Sequence, residues 1–217
     1  MLVRHGESEW NAAGILQGHG GPGLTARGRA QATATARALA RFHAGATAIV
    51  RSDLVRVAET AAATEEILPA LPVRIDERLR ELDVGAWTGR SRTEVATTDA
   101  DTFSAWARGE DVAAGGGETF AALRARVVAA LDDVVARARR DATDRIATVL
   151  VFTHGGPIRV AVAAGLGLPA GGHRGLESVG NCAVSLLDAP TAAALARGMA
   201  LLAAYNRTGH LLWGTPG

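Results

Sequence analysis

Ala147-Thr148-Val149-Leu150-Val151-Phe152-Thr153-His154-Gly155-Gly156 reads as a strand that stops at a polar, glycine-rich turn. An apolar, largely β-branched run suits a strand covered on both faces, and helical spacing from Ile158 to Leu166 follows it. The chain opens on a shorter version of the same pattern, since Met1-Leu2-Val3 is apolar and ends at Arg4-His5-Gly6. Outward from these two stretches, Thr25 is a suitable cap for a helix over Ala26–Phe42, in which Gly28 is a weak position. Thr47-Ala48-Ile49-Val50 is a second strand, Leu54–Leu68 has helical spacing closed by Pro69 and Pro72, and Val73-Arg74-Ile75 is a short third strand. A break at Gly115-Gly116-Gly117 precedes a long helix, Glu118–Arg140, and further strands are expected at Cys182–Leu187 and Met199–Tyr205.

Alternation of strands and helices predicts an α/β three-layer sandwich, with a mostly parallel sheet flanked by helices. The 217 residues fit a single domain over 1–217. The stretch at about 85–117 is poorest in strand signal and is expected to be a small helical cap inserted over the site. Trp87, Phe103 and Trp106 are expected either to line it or to form its own small core.

Composition excludes several classes. A formal net charge of +1 gives no reason for a nucleic-acid or anionic-membrane partner. All 23 basic residues are arginine, which excludes the lysine of a Walker-type phosphate loop and any Schiff-base mechanism. A lone Cys182 in an apolar stretch is a small buried filler, in keeping with a reducing interior. With no secretory leader pattern and no apolar run near the ~20 residues of a membrane span, a soluble cytoplasmic protein is expected. The first strand begins at Met1 itself, which suggests a natural start a few residues upstream.

In an open α/β sheet, ligands sit beyond the carboxyl ends of the strands, where His5 and His154 both fall. Each is followed by glycine, which lets backbone N–H groups approach an oxyanion. Arg4 precedes His5, and Arg56 lies on the first turn of the helix after the second strand. Two forked, permanently charged guanidiniums beside two imidazoles describe an anion pocket.

Leu2-Val3-Arg4-His5-Gly6-Glu7-Ser8-Glu9-Trp10-Asn11 resembles the signature of the histidine phosphatase superfamily, in its phosphoglycerate mutase-like, broad-specificity phosphatase branch. Further blocks resemble it in order: Gln17-Gly18 with Gly23-Leu24-Thr25, Ser52 to Ala61 around Arg56, Leu79-Arg80-Glu81, Gly116-Gly117-Glu118-Thr119 and Thr153-His154-Gly155-Gly156. The resemblance implies that His5 is the nucleophile and becomes phosphohistidine, while Arg4, Arg56 and His154 bind the phosphoryl oxygens. Asn11 and Gln17 match positions of further polar contact, and Gly155 is expected to offer its backbone N–H. A neutral imidazole ringed by positive donors suits phosphoryl transfer.

The leaving alkoxide needs a proton and the later attacking water must lose one, work that a single carboxyl group can do in turn. By family position that group is Glu81, with Asp83 the runner-up and surface pairing to Arg78 or Arg80 the bland alternative; Glu7 is ambiguous. The mutases carry, after the acid/base glutamate, a longer stretch with a lysine that this chain lacks. The expectation is therefore a phosphomonoester hydrolase acting on a small-molecule phosphate ester without metal or other cofactor. Alternatives are mutase-type transfer, a non-catalytic phospho-ligand-binding relative, and a metal hydrolase using His5, His154, Glu7 and Glu81. Arg4 and Arg56 would repel the cation of the last, and no His-x-x-x-His spacing is present. Neither the substrate, which ranges from sugar phosphates to phosphoproteins in this superfamily, nor a homodimeric state is fixed by the sequence.

Overall fold

The apolar run at 147–152 becomes strand β4 (Thr148–Thr153) in the computed structural model, which describes residues 1–43, 45–141 and 147–212. Strand β1 (Leu2–Arg4) lies parallel beside β4, with Val3 opposite Phe152 and Arg4 opposite Thr153. On the other side of β4 come β2 (Ala46–Arg51) and then β3 (Val73–Ile75), both parallel to it. Beyond β1 lie β5 (Val184–Asp188), antiparallel to β1, and β6 (Leu201–Arg207), antiparallel to β5. The order is β3-β2-β4-β1-β5-β6, a mixed, mostly parallel sheet.

Residues alternate across the sheet, so each central strand feeds two cores. Val3, Ile49, Leu150 and Phe152 pack on one face against Leu39 of helix α2 (Ala26–Phe42) and Val57 and Ala61 of α3 (Val55–Ile67). Leu2, Val50 and Val151 pack on the other face, where Leu123 and Val127 of the long helix and Ile158 and Ala161 of the helix after β4 are buried. A fully buried Leu, Ile or Phe contributes about 1.5–3 kcal/mol, so both layers are held chiefly by these strands.

Between β1 and α2 a short helix, α1 (Glu9–Ala12), forms that helical periodicity does not announce; Ser8 and Asn11 close a reciprocal capping box on it. Thr25 caps α2 as expected, accepting from Gly28 N–H. The weak position Gly28 has a reason: a Cβ built there would lie 2.0 Å from the carbonyl oxygen of Glu7. The helix start abuts the chain leaving β1, and only glycine permits that approach.

Residues 85–117 carry helices α4 (Arg92–Thr98) and α5 (Ala100–Arg108) and, among the described residues, no strand. Trp87, Phe103 and Trp106 pack edge to face or tilted at 5.8–5.9 Å, and Trp87 is buried in the same core as Leu79, Leu82 and Leu123, so the trio extends the main core instead of forming a separate one. The long helix α6 (Phe120–Asp141) begins two residues later than expected, because Thr119 Oγ accepts from Ala122 N–H while Glu118 is turned back toward Asp83. Conversely, α7 (Gly155–Gly165) begins three residues earlier than Ile158, with extended His154 at its cap. Cys182 is buried, and its φ of 56° excludes it from the strand expected to start there, so β5 begins at Val184. Burial pushes its thiol up to about 11, as befits a neutral filler. The stretches 142–146 and 213–217 of the expected single domain lie outside the described residues.

Candidate active site

Because β1 and β4 are adjacent and parallel, the residues that follow them, His5 and His154, emerge side by side at the carboxyl edge. His5 is anchored at both backbone ends: its N–H donates to Thr153 O at 3.0 Å, and its carbonyl accepts from Cys182 N–H and Asn181 Nδ2, each at 3.2 Å. Its Nδ1 lies 2.7 Å from Gly6 O. A carbonyl only accepts, so Nδ1 carries the hydrogen and Nε2 the lone pair. Burial, then the charges of Arg4 and Arg56, hold this imidazole well below its ordinary range, so it is neutral near pH 7.

His154 packs its ring against that of His5, centroids 5.2 Å apart at 62°. Its Nε2 lies 3.1 Å from Ser52 Oγ, while Nδ1 is buried and bonded to no group of the described residues. Burial and the nearby Arg56 lower its pKa as well. Arg56, on the first turn of α3, is 2% exposed and donates to Gly18 O and Gly20 O at 2.8 Å each. Burial brings its pKa down to about 10, which still leaves it charged. Arg4 donates to Val179 O at 2.5 Å, and the Nε atoms of both arginines are buried without an acceptor among the described residues. Desolvation lowers Arg4 too, partly opposed by the charge of Glu81.

Glu81 faces this group from the loop before α4. Its Oε1 accepts from Leu82 N–H at 2.8 Å and its Oε2 from Gly156 N–H at 3.2 Å, on the first turn of α7. A Cβ at position 156 would lie 2.2 Å from Oε1, so the second glycine after His154 makes room for the carboxylate. The bland pairing of Glu81 with its neighbours is not found: Arg80 forks onto Asp53, and Arg78 binds Asp76 and Asp133. Asp83 turns away to accept from Gly85 N–H at 2.9 Å. Glu7 accepts from Thr25 Oγ and Arg27.

Arg4, His5, Arg56, Glu81 and Gly156 share a cavity of about 360 Å³ with Asn11 and Gln17. Its outer wall adds Trp10, Leu16, Val84, Arg92, Trp106, Phe120 and Arg159; His154, wholly buried, and Gly155 do not line it. Asn11 also touches Asn181 and Ser8, and Gln17 accepts from Ser8 Oγ. Of the aromatic trio only Trp106 reaches the cavity. Among the described residues no group of three or more His, Cys, Asp or Glu is placed to hold a metal ion.

A family model described as histidine phosphatase superfamily (branch 1) matches residues 1–197. The chain belongs to the histidine phosphatase superfamily. A bifunctional protein Rv2228c of Mycobacterium tuberculosis is 38% identical over 178 residues, covering 77% of this chain and 45% of that protein. The chain thus spans just under half the length of that relative. A probable phosphoglycerate mutase GpmB of Proteus mirabilis is 35% identical over 202 residues, 91% of this chain and 87% of that one. Among solved structures, the mycobacterial glucosyl-3-phosphoglycerate phosphatase Rv2419c, complexed with VO3, superposes with a TM-score of 0.83 at 30% identity over 95% of this chain and 98% of that one.

In this member of the histidine phosphatase superfamily, several residues around the site had no distinguishing signal in the sequence. Ser52 was visible only as the start of a block, yet it meets His154. His19, in a turn rich in glycine, donates from Nε2 to Glu81 O at 2.8 Å. Arg126 and Arg159, two among 23 arginines, are told apart only by what they touch. No helix among the described residues is long and apolar enough to cross a membrane.

Proposed function

We propose that this protein is a metal-independent phosphomonoesterase that works through a phosphohistidine on His5. The observation that carries this reading is the state of His5: Nδ1–H is committed to Gly6 O, and a neutral, unprotonated Nε2 is left at the head of a cavity walled by two arginines. The Nε2 lone pair attacks phosphorus in line, and the P–O bond to the leaving alcohol breaks. Arg4 and Arg56 stabilise the equatorial oxygens through Nε donors that no group of the described residues occupies. When the Ser52 hydroxyl donates to His154 Nε2, the hydrogen sits on buried Nδ1, which becomes a third donor. Asn11 and Gln17 add polar contacts from the cavity wall, and the positive end of α7 reaches the cavity at Gly156, one residue beyond Gly155.

Glu81 delivers a proton to the departing alkoxide, then takes one from the water that attacks phosphorus as the P–Nε2 bond breaks, returning His5 to its starting form. Residues 85–117 act as a cap inserted in a single domain, with Arg92 and Trp106 reaching the cavity from it. The substrate is a small phosphorylated metabolite in the cytoplasm; water rather than a second substrate accepts the phosphoryl group, since the chain has no lysine to fix one. The relative named a glucosyl-3-phosphoglycerate phosphatase makes that ester the first to assay. Release of phosphate from it and from an aryl ester, unchanged by a chelator, is the expected result. Loss of activity with the chelator would overturn metal independence, and isomerisation of 3-phosphoglycerate without net release would replace hydrolysis by mutase transfer.

A further inference from the structure

Arg126, on α6, uses all five of its N–H donors, and each one meets an acceptor near Glu81. Its Nη1 donates to Arg78 O at 2.7 Å and Arg80 O at 2.8 Å, and its Nη2 to Glu81 O at 2.8 Å. The remaining two N–H groups fork onto Glu118, Nε to Oε1 and Nη2 to Oε2, both at 2.7 Å. Glu118 in turn holds the other side of the loop: its N–H donates to Asp83 O at 2.9 Å, and its Oε2 accepts from Asp83 N–H at 3.4 Å. The backbone is therefore fixed immediately before and immediately after Glu81, from a rigid helix, by a guanidinium whose side chain is 20% exposed.

Among the described residues, the Glu81 carboxylate itself is held by main-chain N–H groups alone, at Leu82 and Gly156. Its position in the cavity thus depends on where the loop's backbone lies, and a displacement of about 1 Å in a reacting group can cost 10²-fold in rate. We propose that Arg126, braced by Glu118, is a positioning residue for proton transfer by Glu81. It touches neither substrate nor the reacting atoms, and the proposal rests on Glu81 being the proton donor of the reaction above.

The test compares Arg126→Lys, Arg126→Met and Glu118→Gln, each alone and combined with Glu81→Gln. Phosphorylation of His5 is followed by rapid quench with an alkyl phosphate, whose leaving group needs a proton, and with a nitrophenyl phosphate, whose leaving group does not. Inhibition by inorganic phosphate reports the arginine pocket separately. The expected result is a loss of roughly ten- to a hundredfold on the alkyl ester, little change on the aryl ester and unchanged phosphate inhibition. In the Glu81→Gln background the same substitutions should cost nothing further on the alkyl ester. Arg126→Lys and Glu118→Gln keep charge or shape, and give the answer if Arg126→Met does not fold. Equal losses on both esters, no loss on either, or losses that add to that of Glu81→Gln would overturn the proposal. If Glu81→Gln alone slows both esters equally, the assignment of Glu81 fails instead, and the two failures are distinct.

Discussion

Single atoms decide much of what this site can do. Arg56 spends its two Nη groups on the carbonyls of Gly18 and Gly20, which fixes the guanidinium plane with Nε left over. Arg56→Ala should therefore remove both a phosphoryl donor and the tie on that turn, costing roughly 2–4 kcal/mol of transition-state stabilisation. Catalytic efficiency, kcat/KM, should drop by roughly thirty- to a thousandfold, and a loss under tenfold would place Arg56 outside the chemistry. Gly156 is the second residue whose atoms decide, because the Cβ of Gly156→Ala would fall 2.2 Å from Glu81 Oε1. The carboxylate, being the end of a flexible side chain, moves aside at small cost to stability. Turnover of alkyl phosphates should then drop by tenfold or more while phosphorylation by an aryl ester is nearly retained, and equal effects on both would detach Glu81 from proton transfer.

At the scale of elements, the sequence was readable where one physical signal dominated. Strands β1, β2 and β4 announce themselves because they are apolar on both faces, and their polar ends place His5, Arg56 and His154 at one edge of the sheet. Residues such as Ser52, His19 and Arg126 were not readable, since what singles them out is a partner far along the chain or a run of carbonyls in a loop. The starts of α6, α7 and β5 shifted for the same reason: a Thr119 cap, a helix beginning on glycines and a left-handed Cys182 are local geometries that periodicity does not register. Gly28 belongs between the two cases, visible as a weak helical residue but explained only by the Glu7 carbonyl against it. Both clashing groups there are backbone, so Gly28→Ala should destabilise the fold by about 1–3 kcal/mol in chemical denaturation. A variant as stable as the parent would mean that α2 and the turn after β1 can separate freely.

Across the whole molecule, the site is linked to stability through its buried histidines. His5 and His154 are neutral in the folded protein because burial and two arginines depress them well below their ordinary 6.5. An unfolded chain takes up protons at both positions as pH falls through about 6.5, and the folded chain does not. Stability is thus unaffected by them above that pH and declines below it, approaching about 1.4 kcal/mol per pH unit for each histidine until the folded pKa is reached. The His5→Ala variant should show a shallower decline by one such increment in denaturant titrations between about pH 6.5 and 5.5. Parallel curves for parent and variant would mean that the fold does not depress the His5 pKa, contrary to an imidazole desolvated beside Arg4 and Arg56. The most direct measurement of the central claim is to mix the protein with a phosphate ester, quench within one turnover and locate the adduct by peptide mass spectrometry. A single phosphoryl group on His5, absent from His5→Ala, is the predicted result; phosphate release with no adduct on His5, or with the adduct on another residue, would contradict it.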